Sequence, residues 1–166
     1  MELKGLDRLE RVVNEYLEQF DCQGRMELDF AYYYESETVA WSIFMADTSD
    51  RCFNRFVNER YPHIEADIFL WSLLHEVGHH CTHHLISNRD YEISEVLKEV
   101  AEERLASGEI DEYQCYVYYF TAPEELEATS WAADYMLHNA EEVAAFWQRF
   151  CEAYDNFLKE NNVENF

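Results

Sequence analysis

The most constraining feature of the sequence is a segment, residues 63–86, that is apolar on almost every side. Its apolar residues are Ile64, Ile68, Phe69, Leu70, Trp71, Leu73, Leu74 and Val77. A helix that is hydrophobic all round is buried in the interior of a protein. The sequence therefore predicts a buried central helix here.

Two histidines on this segment, His75 and His79, stand four residues apart, with Glu76 directly after the first. On a helix, residues four apart share a face, so both imidazoles can point at one ion. Zinc accepts neutral imidazole nitrogens in tetrahedral geometry, and a catalytic site keeps one position for water. The pattern therefore predicts a zinc site with His75 and His79 as two of its ligands.

Glu76 is expected to act as a general base rather than as a ligand. It can stand beside the catalytic water, take its proton and pass it to the leaving amine. Leu74 and Val77 supply apolar surroundings that keep such a site dry. The alternative is a helix that is simply rich in histidine, since three more histidines follow within five residues of His79.

A catalytic zinc site also needs a third protein ligand. A metzincin would carry Gly at position 82 and His at position 85, where this chain has Thr82 and Leu85, so that class is excluded. The remaining common solution is a carboxylate from a second helix. The run 123–134 supplies three candidates, Glu124, Glu125 and Glu127.

The two motifs together resemble the ImmA/IrrE family of zinc metallopeptidases over residues 66–137. The likeness rests on His75-Glu76-x-x-His79 followed by Glu125-x-Glu127-Ala128-Thr129-Ser130-Trp131-Ala132-Ala133. In that family the Glu immediately before the Ala is a metal ligand, which implies Glu127 here. Glu124 and Glu125 lie in the first helical turn, where the helix dipole explains them without a metal. The chain departs from the family in an acidic insert around residues 87–113.

Three further residues are candidates for a supporting role. Asp134 follows Glu127 by two helical turns and can fix the tautomer of a ligand histidine, with an ordinary surface carboxylate as the alternative. His83 follows His79 by four residues and lies nearest to the site face, although a bystander role is the simpler explanation. Tyr113 can donate a phenol hydrogen bond to the tetrahedral intermediate, with packing as the alternative.

The rest of the chain predicts a mostly helical α+β, zincin-like fold with a small antiparallel sheet beside the buried helix. Further helices are predicted over residues 3–20 and 91–106, and from residues 121 and 139 onwards. Residues 26–34 and 38–46 are rich in aromatic and β-branched types and predict two strands, the second of which can hold substrate as an edge strand. Residues 47–62 predict a loop with a short helix, and residues 112–120 suit either a strand or a helix.

Composition bounds the class of protein. The chain has 166 residues, 48% of them hydrophobic, and a formal net charge of −23. It should therefore fold as one domain over 1–166, and its acidity makes nucleic acid and anionic membranes unsuitable direct partners. Neither a membrane-spanning stretch nor a signal-peptide core is present in the sequence. Five cysteines without a CxxC pair indicate reduced thiols, as in a cytoplasm.

These observations predict a cytoplasmic zinc-dependent endopeptidase that hydrolyses a protein or peptide substrate. The family resemblance implies a substrate such as a transcriptional repressor in a bacterial or phage setting, and the acidic charge favours a basic substrate. The alternative is a catalytically silent, acidic metal-binding protein with an interaction or regulatory role. A di-iron carboxylate protein would need a second Glu-x-x-His, which the sequence lacks.

Overall fold

The computed structural model describes residues 4–20 and 48–162. Within these ranges the chain forms seven α-helices, which are α1 Leu6–Leu17, α2 Thr48–Arg60, α3 Ile68–Thr82, α4 Asn88–Ala106, α5 Glu112–Phe120, α6 Pro123–His138 and α7 Ala140–Glu160. Short 3₁₀ turns, Glu18–Phe20 and His83–Leu85, follow α1 and α3. None of the helices in these ranges has the length and apolar character needed to cross a membrane.

The described residues contain no β-strand, so the fold class is all-α and the α+β prediction was wrong. The two predicted strands, 26–34 and 38–46, lie outside the described residues. Residues 112–120 form α5 because Asp111 and Gln114 close a capping box around its first turn. Aromatic and β-branched composition is a weak guide to strands where such local hydrogen bonds favour a helix.

Contacts divide the chain into two compact units. One unit comprises residues 1–45 and 138–166, and the other comprises residues 46–137. The second unit carries all the metal-ligand, general-base and supporting candidates that were named from the sequence. The expectation of a single domain over 1–166 stays a prediction.

In the first unit, α1 packs against α7. The ring of Tyr16 stacks on that of Phe146 with centroids 3.9 Å apart, and Leu9 and Phe150 are fully buried. Asn161 extends the contact by exchanging two hydrogen bonds with the backbone of Lys4, at 3.0 and 2.9 Å. The helices predicted over residues 3–20 and from residue 139 onwards are therefore confirmed.

Helix α3 is the buried helix that the sequence predicted. Asp67 caps its N-terminus by accepting a hydrogen bond from the Phe69 backbone N–H at 2.8 Å. Trp71 and Leu74 are completely buried. This burial carries His75, only 8% exposed, into the interior of the second unit.

The apolar face of helix α4 is only partly buried. The spacing places Ile93, Val96, Leu97, Val100 and Ala101 on this face. Ala101 is buried and Leu97 and Val100 are half-buried, but Ile93 and Val96 are 42% and 58% exposed. Ser94 is buried as well, and its hydroxyl bonds a buried carboxylate, Glu124, on α6.

Helices α3 and α6 approach closely at Gly78. A Cβ atom at this position would lie 2.4 Å from the carbonyl oxygen of Ala128 and 2.9 Å from its Cα. Both contacts are with backbone atoms, which cannot move aside unless α6 itself moves. The missing side chain at Gly78 thus allows α6 to bring its own residues up to His75.

Gly78→Ala should destabilise the protein. Alanine normally favours a helix by about 1 kcal/mol over glycine, but the added methyl group overlaps backbone, and overpacking costs about 1–3 kcal/mol. We expect the overpacking to win and the urea midpoint to fall. Glu76→Ala, at an exposed position on the same helix, is the control and should leave the midpoint nearly unchanged. A Gly78→Ala protein more stable than the wild type would contradict this close helix contact.

Candidate metal centre

Two histidines of α3 form one side of the candidate site. His75 is buried and His79 is half-buried. Their ring centroids are 4.6 Å apart, with the ring planes at 85°. They share a helix face because a spacing of four residues is close to one helical turn.

The carboxylate of Glu125, on α6, lies against both imidazoles. Its Oε2 atom is 2.9 Å from His75 Nε2 and 3.1 Å from His79 Nε2. Among the residues that the structure describes, these three form the group with metal-ligand atoms all within 4.8 Å of one another. Tetrahedral zinc at its usual bond lengths separates its ligand atoms by about 3.3 Å. Both carboxylate–imidazole distances are therefore only slightly shorter than such an ion requires.

Glu127, which the family resemblance implies as the third ligand, is exposed and does not join this group. Positions two apart on a helix differ by about 200° in direction, so Glu125 and Glu127 cannot both face α3. The buried face of α6 contains Glu125, Ala128, Thr129 and Ala132. The structure thus brings Glu125, and not Glu127, to the two histidines, which makes Glu125 the candidate third ligand. The four residues of the buried face are spaced three and four apart in the sequence. That spacing is the signal that would have placed Glu125 on the buried face.

Thr129 controls the orientation of His75. Its hydroxyl donates to the backbone carbonyl of Glu125 at 3.0 Å, and its Oγ1 atom is 2.9 Å from His75 Nδ1. With its own proton directed at the carbonyl, Oγ1 accepts from Nδ1–H, which leaves the Nε2 lone pair directed at the Glu125 carboxylate. A lone pair and a carboxylate 2.9 Å apart require a proton or a cation between them. This arrangement fits a metal ion.

The charges at the site also favour a cation. Burial opposes ionisation of Glu125, but hydrogen bonds with His75 and His79 outweigh it and hold the pKa of Glu125 well below its usual range. Burial likewise opposes protonation of His79, yet the hydrogen bond and charge of Glu125 raise the pKa of His79. Without a metal, a proton on the histidine balances the carboxylate, and a metal ion must displace that proton to bind.

A second buried carboxylate, Glu124, joins α6 to the acidic insert. It accepts hydrogen bonds from the Ser94 hydroxyl and, at 3.2 Å, from the Lys98 ammonium. The same ammonium lies 4.5 Å from the centre of the Tyr119 ring. Burial raises the pKa of Tyr119, and the negative charge of Glu125 and the hydrogen bond with it raise this pKa further. The Tyr119 hydroxyl therefore stays protonated. The insert thus places the lysine next to the phenol of Tyr119, which itself bonds Glu125.

The three supporting candidates from the sequence lie away from this group. Asp134 is exposed, because nine residues along the helix from Glu125 correspond to about 180° of rotation. His83 is exposed in the turn after α3, where its Nδ1 atom is 2.7 Å from a backbone carbonyl oxygen. Burial and a hydrogen bond of 2.9 Å to Glu59 raise the pKa of Tyr113 to about 12. Thr129 takes the supporting position that was expected of Asp134.

A cavity of about 540 Å³ opens beside the three metal-ligand candidates, and Glu76 lines it together with them. The Glu76 side chain is exposed, in contrast to the buried His75 that precedes it. Clefts of roughly 300–1,000 Å³ are typical of ligand-binding sites. Glu76 therefore stands beside the group without belonging to it, which is the position that a general base requires; its role stays a prediction.

No family model, curated protein or solved structure matches the chain. The resemblance to the ImmA/IrrE family therefore stays a prediction from the two motifs. The structure adds that the two motifs meet in space, through His75, His79 and Glu125.

Glu125→Gln should weaken zinc binding at least about 100-fold, whereas Glu127→Gln should leave it unchanged. The first change removes the anionic oxygen between the two histidines, and even the loss of a residue that only supports a metal ligand costs about 10–100-fold. Competition with a chromogenic chelator measures both affinities. Equal losses in the two variants, or a loss confined to Glu127→Gln, would contradict the geometry.

Thr129→Val should weaken zinc binding about 10–100-fold, because His75 Nδ1 loses its hydrogen-bond acceptor while the shape of the side chain is kept. Thr129→Ser retains the hydroxyl and is the matched control. The same chelator competition measures both variants. If the valine variant bound zinc as tightly as the serine variant, Thr129 would have no part in orienting His75.

Proposed function

We propose that this protein is a zinc-dependent endopeptidase. One observation carries the proposal: two imidazole nitrogens and one carboxylate oxygen converge within 4.8 Å, beside a cavity that Glu76 also lines. Two histidines and one glutamate form the ligand set of a common class of catalytic zinc sites. His75, His79 and Glu125 would hold the ion.

Zinc, when bound, supplies a Lewis acid that polarises a carbonyl group and lowers the pKa of water. The chain supplies the proton transfers. Glu76 is exposed to the cavity and is the residue in position to take a proton from the attacking water and return it to the leaving amine. Thr129 keeps His75 in the tautomer that leaves Nε2 free for the ion.

The family proposed is that of the ImmA/IrrE metallopeptidases, with Glu125 as the glutamate of the second motif that would hold the ion. The carboxylate that faces the histidines is the first glutamate of Glu125-x-Glu127-Ala128, not the second. The four-residue step from Glu125 to Thr129 then places a polar side chain behind His75. The motif and the contacts are consistent with one another under this assignment.

We propose a basic protein as the substrate. Nine acidic and three basic residues lie between positions 87 and 113, and most of the acidic ones are exposed. A field of this sign raises the encounter rate of positively charged partners, most strongly at low salt. A cytoplasmic DNA-binding regulator has the required charge.

Glu76→Gln should abolish proteolysis while leaving zinc bound. Loss of a general base typically costs about 10²–10⁴-fold in rate, and the glutamine keeps the size of the side chain. Cleavage of casein and of a basic protein such as a histone, with zinc content measured on the same samples, gives both readouts. The histone should be cut faster than casein at low salt, and added salt should reduce the difference.

Glu127→Gln, which changes an exposed glutamate outside the site, is the matched control and should retain activity. A Glu76→Gln protein that still cleaved would remove Glu76 from its proposed role. Stoichiometric zinc without proteolysis in the wild type, together with tight binding of a basic protein, would instead favour the silent metal-binding interaction protein.

A further inference from the structure

The residues that line the cavity beside the candidate zinc site fall into two chemical groups. Glu76, Glu125 and the two histidines are ionisable, and most of the others are aromatic. The aromatic group, here called the aromatic wall, consists of Phe53, Tyr116, Tyr119 and Phe120. It combines residues from α2 and α5, which lie far apart in sequence.

The aromatic wall begins directly at a candidate ligand. The ring of Phe53 meets that of His75 edge-on, with centroids 5.2 Å apart. Phe120 lies 5.2 Å from Phe53, and Tyr116 stacks on Phe120 at 5.8 Å with the planes at 20°. The aromatic rings therefore form a continuous chain of contacts that starts at His75.

The wall is a fixed surface. Phe53 and Phe120 are each only 6% exposed, so their rings are held by packing and Tyr116 is supported from behind. Phe56 packs against Phe120 at 5.2 Å and supports the wall from α2. Rigid aromatic surfaces bind apolar side chains with little loss of conformational freedom in the protein.

From this arrangement we propose that the site selects a peptide bond flanked by an aromatic or large aliphatic side chain, which binds against the aromatic wall. The inference rests on the proposed peptidase function and names its substrate class at the cut. Small side chains would leave the wall in contact with water, and acidic side chains would meet the negative charge of Glu76 and Glu125. The cavity, about 540 Å³, has room for a large side chain and its peptide backbone.

The test uses amino-acid hydroxamates, which bring one side chain next to a zinc-binding group. Calorimetry on the zinc-loaded full chain would compare the hydroxamates of phenylalanine, leucine, alanine and aspartate. We expect the phenylalanine and leucine compounds to bind about tenfold or more tightly than the alanine compound, from the apolar area buried. The aspartate compound should bind most weakly of the four.

Tyr116→Ala should reduce the preference for phenylalanine over alanine at least about threefold. Tyr118→Ala is the matched control on the same helix, because Tyr118 does not line the cavity and bonds Arg104 instead. Its preference should equal that of the wild type. The wild-type series stands without the variants, so a folding defect in Tyr116→Ala would leave the comparison valid.

Equal affinity for all four hydroxamates, or a preference for alanine or aspartate, would overturn this inference while the proposed function stands. Zinc binding without binding of any hydroxamate would also overturn it, because the cavity would then not admit a ligand at the ion. Failure of the wild type to bind zinc would instead remove the proposed function, and the inference with it.

Discussion

The contact of the Glu125 carboxylate with two imidazoles is the interaction on which the rest of the second unit depends. A buried carboxylate costs several kcal/mol of desolvation unless charges and hydrogen bonds compensate it. His75 and His79 supply that compensation at 2.9 and 3.1 Å. They can do so only because Gly78 lets the backbone of α6 come into contact with α3. A side chain at Gly78 would push α6 away from α3 and would also move Glu125 away from the two histidines. The packing of the helices and the chemistry of the site are therefore one constraint.

A second buried carboxylate, Glu124, directly precedes Glu125 and needs its own compensating partners. Glu124 and Glu125 are adjacent and both buried, yet they point to different partners. Ser94 and Lys98 of α4 hold Glu124, which leaves Glu125 to the histidines. Two buried negative charges thus share one turn of helix without competing for the same cation. This accounts for the burial of Ser94 on α4.

The sequence allowed the buried helix, the two histidines and the position of Glu76 to be predicted, because each follows from helical spacing within one segment. The third ligand required a choice between Glu125 and Glu127 on another helix. The resemblance to the family motif indicated Glu127, whereas the three-and-four spacing of the buried residues on α6 indicates Glu125. The structure agrees with the spacing. Periodicity was the better guide because it reports which face is buried, whereas a motif reports only order along the chain.

What could not be predicted from the sequence concerns contacts between distant segments. The apolar pattern of α4 does not indicate that a serine, Ser94, would be buried while Val96 stays exposed, because the partner of Ser94 is Glu124, thirty residues further on. The wall formed by Phe53 and Phe120 is likewise a product of tertiary packing. The capping box that makes residues 112–120 a helix was present in the sequence as Asp111 and Gln114, and it decided what their composition left open.

The acidity of the chain and the aromatic wall act over different distances and so govern different steps of the proposed reaction. Exposed carboxylates on α4 act over about 8 Å at physiological salt, which affects how often a basic protein arrives. The wall acts only at contact, within about 4.5 Å, which affects which bond of that protein enters the site. A substrate can therefore be basic over its surface and apolar at the cut. Both properties follow from where this fold leaves its charges exposed and where it lines a cavity with aromatic rings.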